Sequence, residues 1–142
     1  MFDITKTRLI LRAYMLSQVD PLPQLQQWEN RPFEIPDAIT GNWIREIMEY
    51  SGETVIASNT KSHKGNYRID VVVPTGSGTE YLDSVTNAIV SAFPPGTALT
   101  DSPETCVVNV RASQRLQARR DTTSGAWYSQ PVMVSWEVYS YF

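Results

Sequence analysis

The chain has one cysteine and one histidine in 142 residues, and these two scarcities exclude a good deal. A lone Cys106 forbids an internal disulfide and fits a reducing compartment. His63 stands in a polar stretch beside Lys61 and Lys64 and has no neighbouring partners for a metal-binding or catalytic role. Cys106 and His63 lie far apart on different kinds of element, a weak basis for a nucleophile–base pair; a solvated histidine and a core cysteine are the ordinary readings. No run approaches the roughly 18 apolar residues of a membrane helix. A net charge of −3 is too small to mark a nucleic-acid binder or a membrane-surface protein. The Gly76-Ser77-Gly78 turn lacks the third glycine of a dinucleotide fingerprint and the Gly-Lys-Ser/Thr of a P-loop, so it reads as a capped turn. No cofactor and no catalytic centre are expected. The N-terminus has a basic flank but no clear small-residue cleavage site, which favours an amphipathic helix over a signal peptide. There is no internal repeat.

What the chain does have is apolar material: 42% of residues are hydrophobic and four are tryptophan, enough for a folded protein. At this length, residues 1–142 are expected to form one domain with a single core. Residues 67–96 organise it. Tyr67, Ile69, Val71 and Val73 alternate with Arg68, Asp70 and Val72, the period of a strand with one face buried. Pro74 and Gly76 stop that strand. Ser77 stands three residues before Glu80, as in a capping box that opens a helix. Tyr81, Leu82, Val85, Ala88, Ile89, Ala92 and Phe93 then repeat at helical spacing, and Pro94, Pro95 and Gly96 end the helix.

The flanking segments build on this unit. Asp3 can cap a first helix of about 15 residues, with Ile4, Leu11 and Met15 in one stripe and Leu9, Ala13 and Leu16 widening it. Pro21 and Pro23 end it. Residues 25–31 look extended, and 34–41 turn-rich. Residues 42–50 suit a helix face or a strand; the strand is preferred because Ser51-Gly52 can turn it back into Glu53–Ala57 as a hairpin. Residues 58–66 hold no apolar residue and read as a mobile loop. Cys106, Val108 and Val110 alternate in another strand, and residues 112–125 read as a second long polar excursion or an extended hairpin arm. In the last strand Val132, Val134, Trp136 and Val138 point one way, and Met133, Ser135, Glu137 and Tyr139 the other. The pattern is α+β: a mostly antiparallel sheet with two helices packed on one face and long polar loops.

The charged residues carry what functional signal there is. Glu46, Glu49 and Glu53 flank the proposed hairpin and suit an acidic surface or a solvated strand face equally. Arg111, Arg115, Arg119 and Arg120 form the basic cluster. Phosphate contact is one reading; salt bridging to a neighbouring subunit is the preferred one in a chain of net negative charge. Long polar connections in a small domain are usually functional or disordered. Lys61, His63 and Lys64 in the first excursion, and Arg115, Arg119 and Arg120 in the second, are therefore the candidate interface residues.

The order of the pieces resembles the tail terminator proteins of long-tailed phages. The resemblance is carried by Trp28-Glu29-Asn30-Arg31-Pro32-Phe33-Glu34-Ile35-Pro36 after the first helix and by Trp43 to Glu49. Gly65-Asn66-Tyr67-Arg68-Ile69-Asp70-Val71, Ser91-Ala92-Phe93-Pro94-Pro95-Gly96-Thr97 and Ala126 to Trp136 complete it. Residues 112–125 match no part of that pattern. The resemblance implies a virion protein made in the host cytoplasm, with no enzymatic activity. It implies a homohexameric ring on the head-proximal end of the tail tube, which stops tube growth and joins tail to neck. Its partners would be copies of itself, the tail tube protein and a neck or head–tail connector protein. Genomic DNA would only pass through the lumen, and no membrane is involved. Another neck or tail-completion protein is the alternative, followed by a small enzyme using 58–66 as a lid.

Overall fold

The computed structural model describes residues 2–20, 22–23, 25–29, 31, 41–101, 106–120 and 127–141, and the structural statements below concern these. Helix α1 spans Ile4–Gln18. The Asp3 carboxylate accepts from the Lys6 amide at 3.0 Å, so the expected cap is in place. Strand β1 (Leu25–Gln27) is short, whereas β2 (Trp43–Ala57) and β3 (Thr60–Pro74) run 15 residues each. Helix α2 (Glu80–Ala92) follows, then β4 (Ala98–Thr100), β5 (Val107–Arg115), β6 (Arg119–Arg120) and β7 (Trp127–Tyr141). The expected turn segment 34–41 lies, apart from Gly41, outside the described residues.

The fold is α+β, and its sheet is mixed. Strand order is β1-β2-β3-β7-β5-β4, with β6 added to β7. The β1–β2 pairing is parallel, Leu25 opposite Trp43, and the other described pairings are antiparallel. The choice of strand for 43–50 holds, but the hairpin does not turn at Ser51-Gly52. The strand continues through that point with a register shift between Tyr50 and Gly52, where Gly52 has φ 127°. A bulge there bends the strand without ending it. The reversal comes at Ser58-Asn59, and residues 60–66, expected as a mobile loop, are the first half of β3. The long polar loop at 58–66 is therefore a β arm. In the second excursion, 112–115 continue β5 and 119–120 form β6; residues 121–126 lie outside the described residues.

Two details of the helices also differ from the sequence reading. Thr79, not Ser77, precedes α2 and makes no side-chain cap; the Ser77 hydroxyl instead donates to the Pro74 carbonyl at 2.7 Å and closes the turn. On α1, Ile10, Leu11 and Met15 are buried, while Leu9 and Leu16 remain 49% and 43% exposed.

The core is the one expected from the central unit. Val71, Val73, Val85, Ile89, Phe93, Val108, Val134 and Trp136 belong to a single buried cluster, joined by Leu11 and Met15 of α1. Trp43, Val72 and Trp127 form a smaller second cluster, the two indoles meeting edge to face at 4.3 Å. Trp136 lies across Gly65: a Cβ there would stand 2.1 Å from the Glu49 carbonyl oxygen and 2.4 Å from the indole. Glycine is thus needed for close approach of the ring. Truncating fully buried Phe93 to alanine is expected to cost about 3–5 kcal/mol through lost burial and a residual cavity. Gly65→Ala is expected to cost about 1–3 kcal/mol through overpacking. Urea unfolding of both variants checks the two values, and a wild-type midpoint for either would contradict the packing described.

Candidate assembly surfaces

The far halves of β2 and β3 project as an arm, extended on one side by the end of β7. Thr60 is opposite Tyr141, and His63 is opposite both Glu53 and Val138. The polar residues that disguised this arm in the sequence find their partners across strands. Ser62 is buried and its hydroxyl donates to Glu137. His63 is 3% exposed, stacked on Phe2 at 4.2 Å between ring centroids. Its Nδ1 lies 3.0 Å from the Tyr50 hydroxyl and its Nε2 2.7 Å from Ser140 Oγ. Phe2, Ile4, Tyr50, His63, Ser140 and Tyr141 line a largely apolar cleft of about 570 Å³ at the base of the arm, with Glu53 and Lys61 beside it. Lys61 pairs with Glu53 at 3.4 Å, and Lys64 stands 64% exposed at 4.0 Å from Glu137.

The three arginines of the second excursion diverge. Arg115 is tied within the chain, to Asp83 at 2.6 Å, Asn87 at 2.8 Å and Gln130 at 3.0 Å. Arg119 and Arg120 sit exposed on β6, opposite Ser129 and Tyr128 of β7; among the described residues no carboxylate pairs with either. Arg111 faces elsewhere again, bonded to Glu137 at 2.8 Å and to the Tyr139 hydroxyl at 2.9 Å. Burial alone would raise the Glu137 carboxyl, but hydrogen bonds from Ser62, Arg111 and Tyr139 outweigh it and hold the pKa below the ordinary 4.5.

The chain's chemistry is otherwise internal. Glu46, read as surface or solvated, is 2% exposed. It accepts from Arg12 Nε at 2.8 Å, from a second Arg12 nitrogen and from the Tyr67 hydroxyl. That bond to Glu46 raises the Arg12 pKa, while burial pushes Tyr67 well above its ordinary 10.0. Asp70, fully buried, is braced by Arg45 at 2.7 Å and Arg68 at 2.8 Å. Cys106 is partly buried with its thiol pushed up by that burial, and both ring nitrogens of His63 face oxygens, so the structure does not join them into a nucleophile–base pair. No cluster of three or more His, Cys, Asp or Glu that could hold a metal ion occurs among the described residues. No helix there is long and apolar enough to cross a membrane. Sequence reasoning missed the exposed apolar residues of the arm, Tyr50, Val55, Ile56 and Tyr141, which are 47–71% exposed. The signal was present as two successive aliphatic residues beside a wholly polar stretch.

Comparison with protein families finds a match to the phage tail terminator protein family over residues 8–136. The chain belongs to the phage tail terminator family. No curated protein matches the sequence. Among solved structures, the virion of a native gene transfer agent particle contains a chain that aligns with TM-score 0.67 at 10% identity, over 99% of this chain and 100% of that one. A second solved chain aligns with TM-score 0.64 at 22% identity, over 95% of this chain and 90% of that one. At these identities the structures share the fold, and the family match carries the assignment to a structural protein of the phage tail.

In this terminator, the base of the arm has a built-in response to acid. Burial disfavours the imidazolium of His63 and lowers its pKa from the ordinary 6.5; Glu53 opposes the shift and Lys61 adds to it. The unfolded chain therefore takes up this proton before the folded one as pH falls below 6.5, and stability is lost in that direction. The melting temperature of the wild type is expected to fall more between about pH 7.5 and 5.5 than that of His63→Gln. Equal falls in calorimetry would contradict the buried, neutral state of this ring.

Proposed function

We propose that this tail terminator closes into a homohexameric ring on the last ring of tail tube subunits, stops tube polymerisation and offers its opposite face to the neck below the head. The mechanism is steric and interfacial. One surface copies the docking surface of a tube subunit; the other offers no further tube-binding site. Residues 1–142 act as one domain in this reading, and genomic DNA passes through the lumen without sequence recognition. The ring is made in the host cytoplasm and ends at the head-proximal end of the tail.

The observation that carries this reading is the family match across residues 8–136. The charge distribution supports where the contacts fall. Arg119, Arg120 and Lys64 keep their charge at the surface, whereas Lys61 and Arg115 are paired within the subunit and His63 is buried. In the proposal the first three pair with carboxylates of neighbouring subunits or of the tube, and Lys61, His63 and Arg115 shape the surfaces that present them. Rim charges of this kind set specificity and encounter rate, and salt weakens them.

The double charge reversal Arg119→Glu with Arg120→Glu touches no described ion pair and is expected to leave melting unchanged. It is expected to abolish capping, so that electron micrographs show tails of uncontrolled length and few joined particles. Tails of normal length joined to heads at normal yield would remove these two arginines from the mechanism.

A further inference from the structure

Two apolar surfaces on this chain remain wet, and the topology sets them at opposite edges of one sheet. The first is the arm. Beyond the short β1, whose pairing ends at Arg45, no described strand covers the outer edge of β2. Along and beside that edge, Tyr50, Val55 and Ile56 are exposed. The second lies on the other flank. Leu9, Ala13 and Leu16 form an apolar stripe on the outside of α1. With Leu99 and Thr100 of the edge strand β4, Leu9 and Ala13 line a groove of about 690 Å³. Helical spacing makes this stripe look like part of the core, yet the subunit's own core does not reach it. Exposed apolar surface beside unpaired strand edges is typical of contact sites.

A single row of paired residues joins the two edges. Gly52 is opposite Lys64, Lys64 opposite Glu137, Glu137 opposite Asn109 and Asn109 opposite Ala98. One row of residues thus crosses the sheet from the arm to β4. Each step reverses strand direction, and after four reversals β2 and β4 run the same way. A rotation axis lying along the strands therefore brings the arm edge of one copy to the β4 edge of the next without inverting either. That is the requirement of a head-to-tail ring; a two-fold dimer would bring like edges together instead.

We infer that the β2–β3 arm of one subunit docks into the α1–β4 groove of a second copy of this chain, Val55 and Ile56 covering Leu9, Ala13 and Leu99. The inference rests on the ring reading above and names its repeating contact. Burying these side chains removes the wet apolar surface from both edges at once, and each subunit gives one arm and receives one.

Cysteine pairs test it in the full chain with Cys106→Ser as background. Ile56→Cys combined with Leu9→Cys, oxidised on assembled tails, is expected to give a ladder of cross-linked species ending at the closed ring. Either single cysteine is expected to stay uncross-linked. Val55→Asp with Ile56→Asp, and separately Leu9→Asp, are expected to melt like wild type yet lower ring formation at least about tenfold, the loss expected for a central interface contact. Rings visible on tails without the 9–56 cross-link would overturn the contact and leave the ring reading standing, as would undiminished ring formation by both aspartate variants. Ready self-linking of Ile56→Cys alone would show arm-to-arm pairing and overturn it too. Absence of this protein's ring from the tail end would overturn the ring reading and the contact together.

Discussion

A carboxylate with no access to water sets the geometry of this fold. Glu46 lies on the inner side of β2, and its charge is met by the Arg12 guanidinium from α1 and by the Tyr67 hydroxyl from β3. A buried ion pair contributes little net stability, but removing one partner leaves an uncompensated charge and costs about 3–5 kcal/mol. The pair therefore acts mainly as a positional constraint. It fixes how α1 is rotated and how deep it lies. One turn earlier Arg8 pairs with Glu29 at 3.0 Å, and Glu29 also accepts from the Met48 amide at 3.2 Å. Arg12 lies 4.6 Å from the centre of the Trp28 ring. A polar seam thus runs along one flank of α1, and it sends Leu11 and Met15 into the core and Phe2 over His63 and Trp136.

That seam explains why part of the apolar stripe of the first helix lies outside the core. Its apolar pattern is broad enough for two flanks, and periodicity cannot say which flank a tertiary ion pair will exclude. Arg8 and Arg12, four residues apart, claimed one side, and Leu9 and Leu16 were left outside. The second helix and the second half of β3 were legible because most of their buried residues are apolar and their stops are marked by proline and glycine. The arm was not. Its inward positions are filled by His63 and Gly65, while Ser62 is buried on the opposite face; these residues bury well only because Tyr50, Ser140, Trp136 and Glu137 come from other strands to meet them. Hydrophobic periodicity carries no trace of such pairings.

The candidate charges were readable as residues but not as a group. Residues Arg111, Arg115, Arg119 and Arg120 look like one patch in the sequence. A register shift between Val110 and Ala112 breaks it. Before the shift Val108 and Val110 face the core; after it Ser113 reaches the Val90 carbonyl and Arg115 reaches Asp83 and Asn87 of α2. One extra residue flips every later side chain to the other face. Arg111 is left on the side of Glu137, Arg115 on the side of α2, and only the pair on β6 keeps its charge at the surface. A single-residue bulge has no dependable signature in a strand without glycine, so this division could be seen only in the folded chain.

The arm poses a problem that the same device answers. An uncovered strand edge carrying Val55 and Ile56 invites pairing with any similar edge, and unlimited pairing would build fibres. Two register shifts interrupt this edge, one between Tyr50 and Gly52 and one between Val55 and Ala57. Bulges add local twist and leave residues unpaired, so a flat ladder cannot propagate along the arm. Glu49 and Glu53 place two negative charges on the same strand and repel a second copy of that edge laid against it. What these features leave available is docking of side chains into a shaped groove, with an angle set by the bend. A head-to-tail contact closes on itself only where its rotation divides a full turn, and in the proposed ring no open arm is left to recruit another subunit. In the proposed ring the limit on assembly would lie in the backbone of the arm, and the chain would stop its own growth by the geometry with which it would stop the tube's.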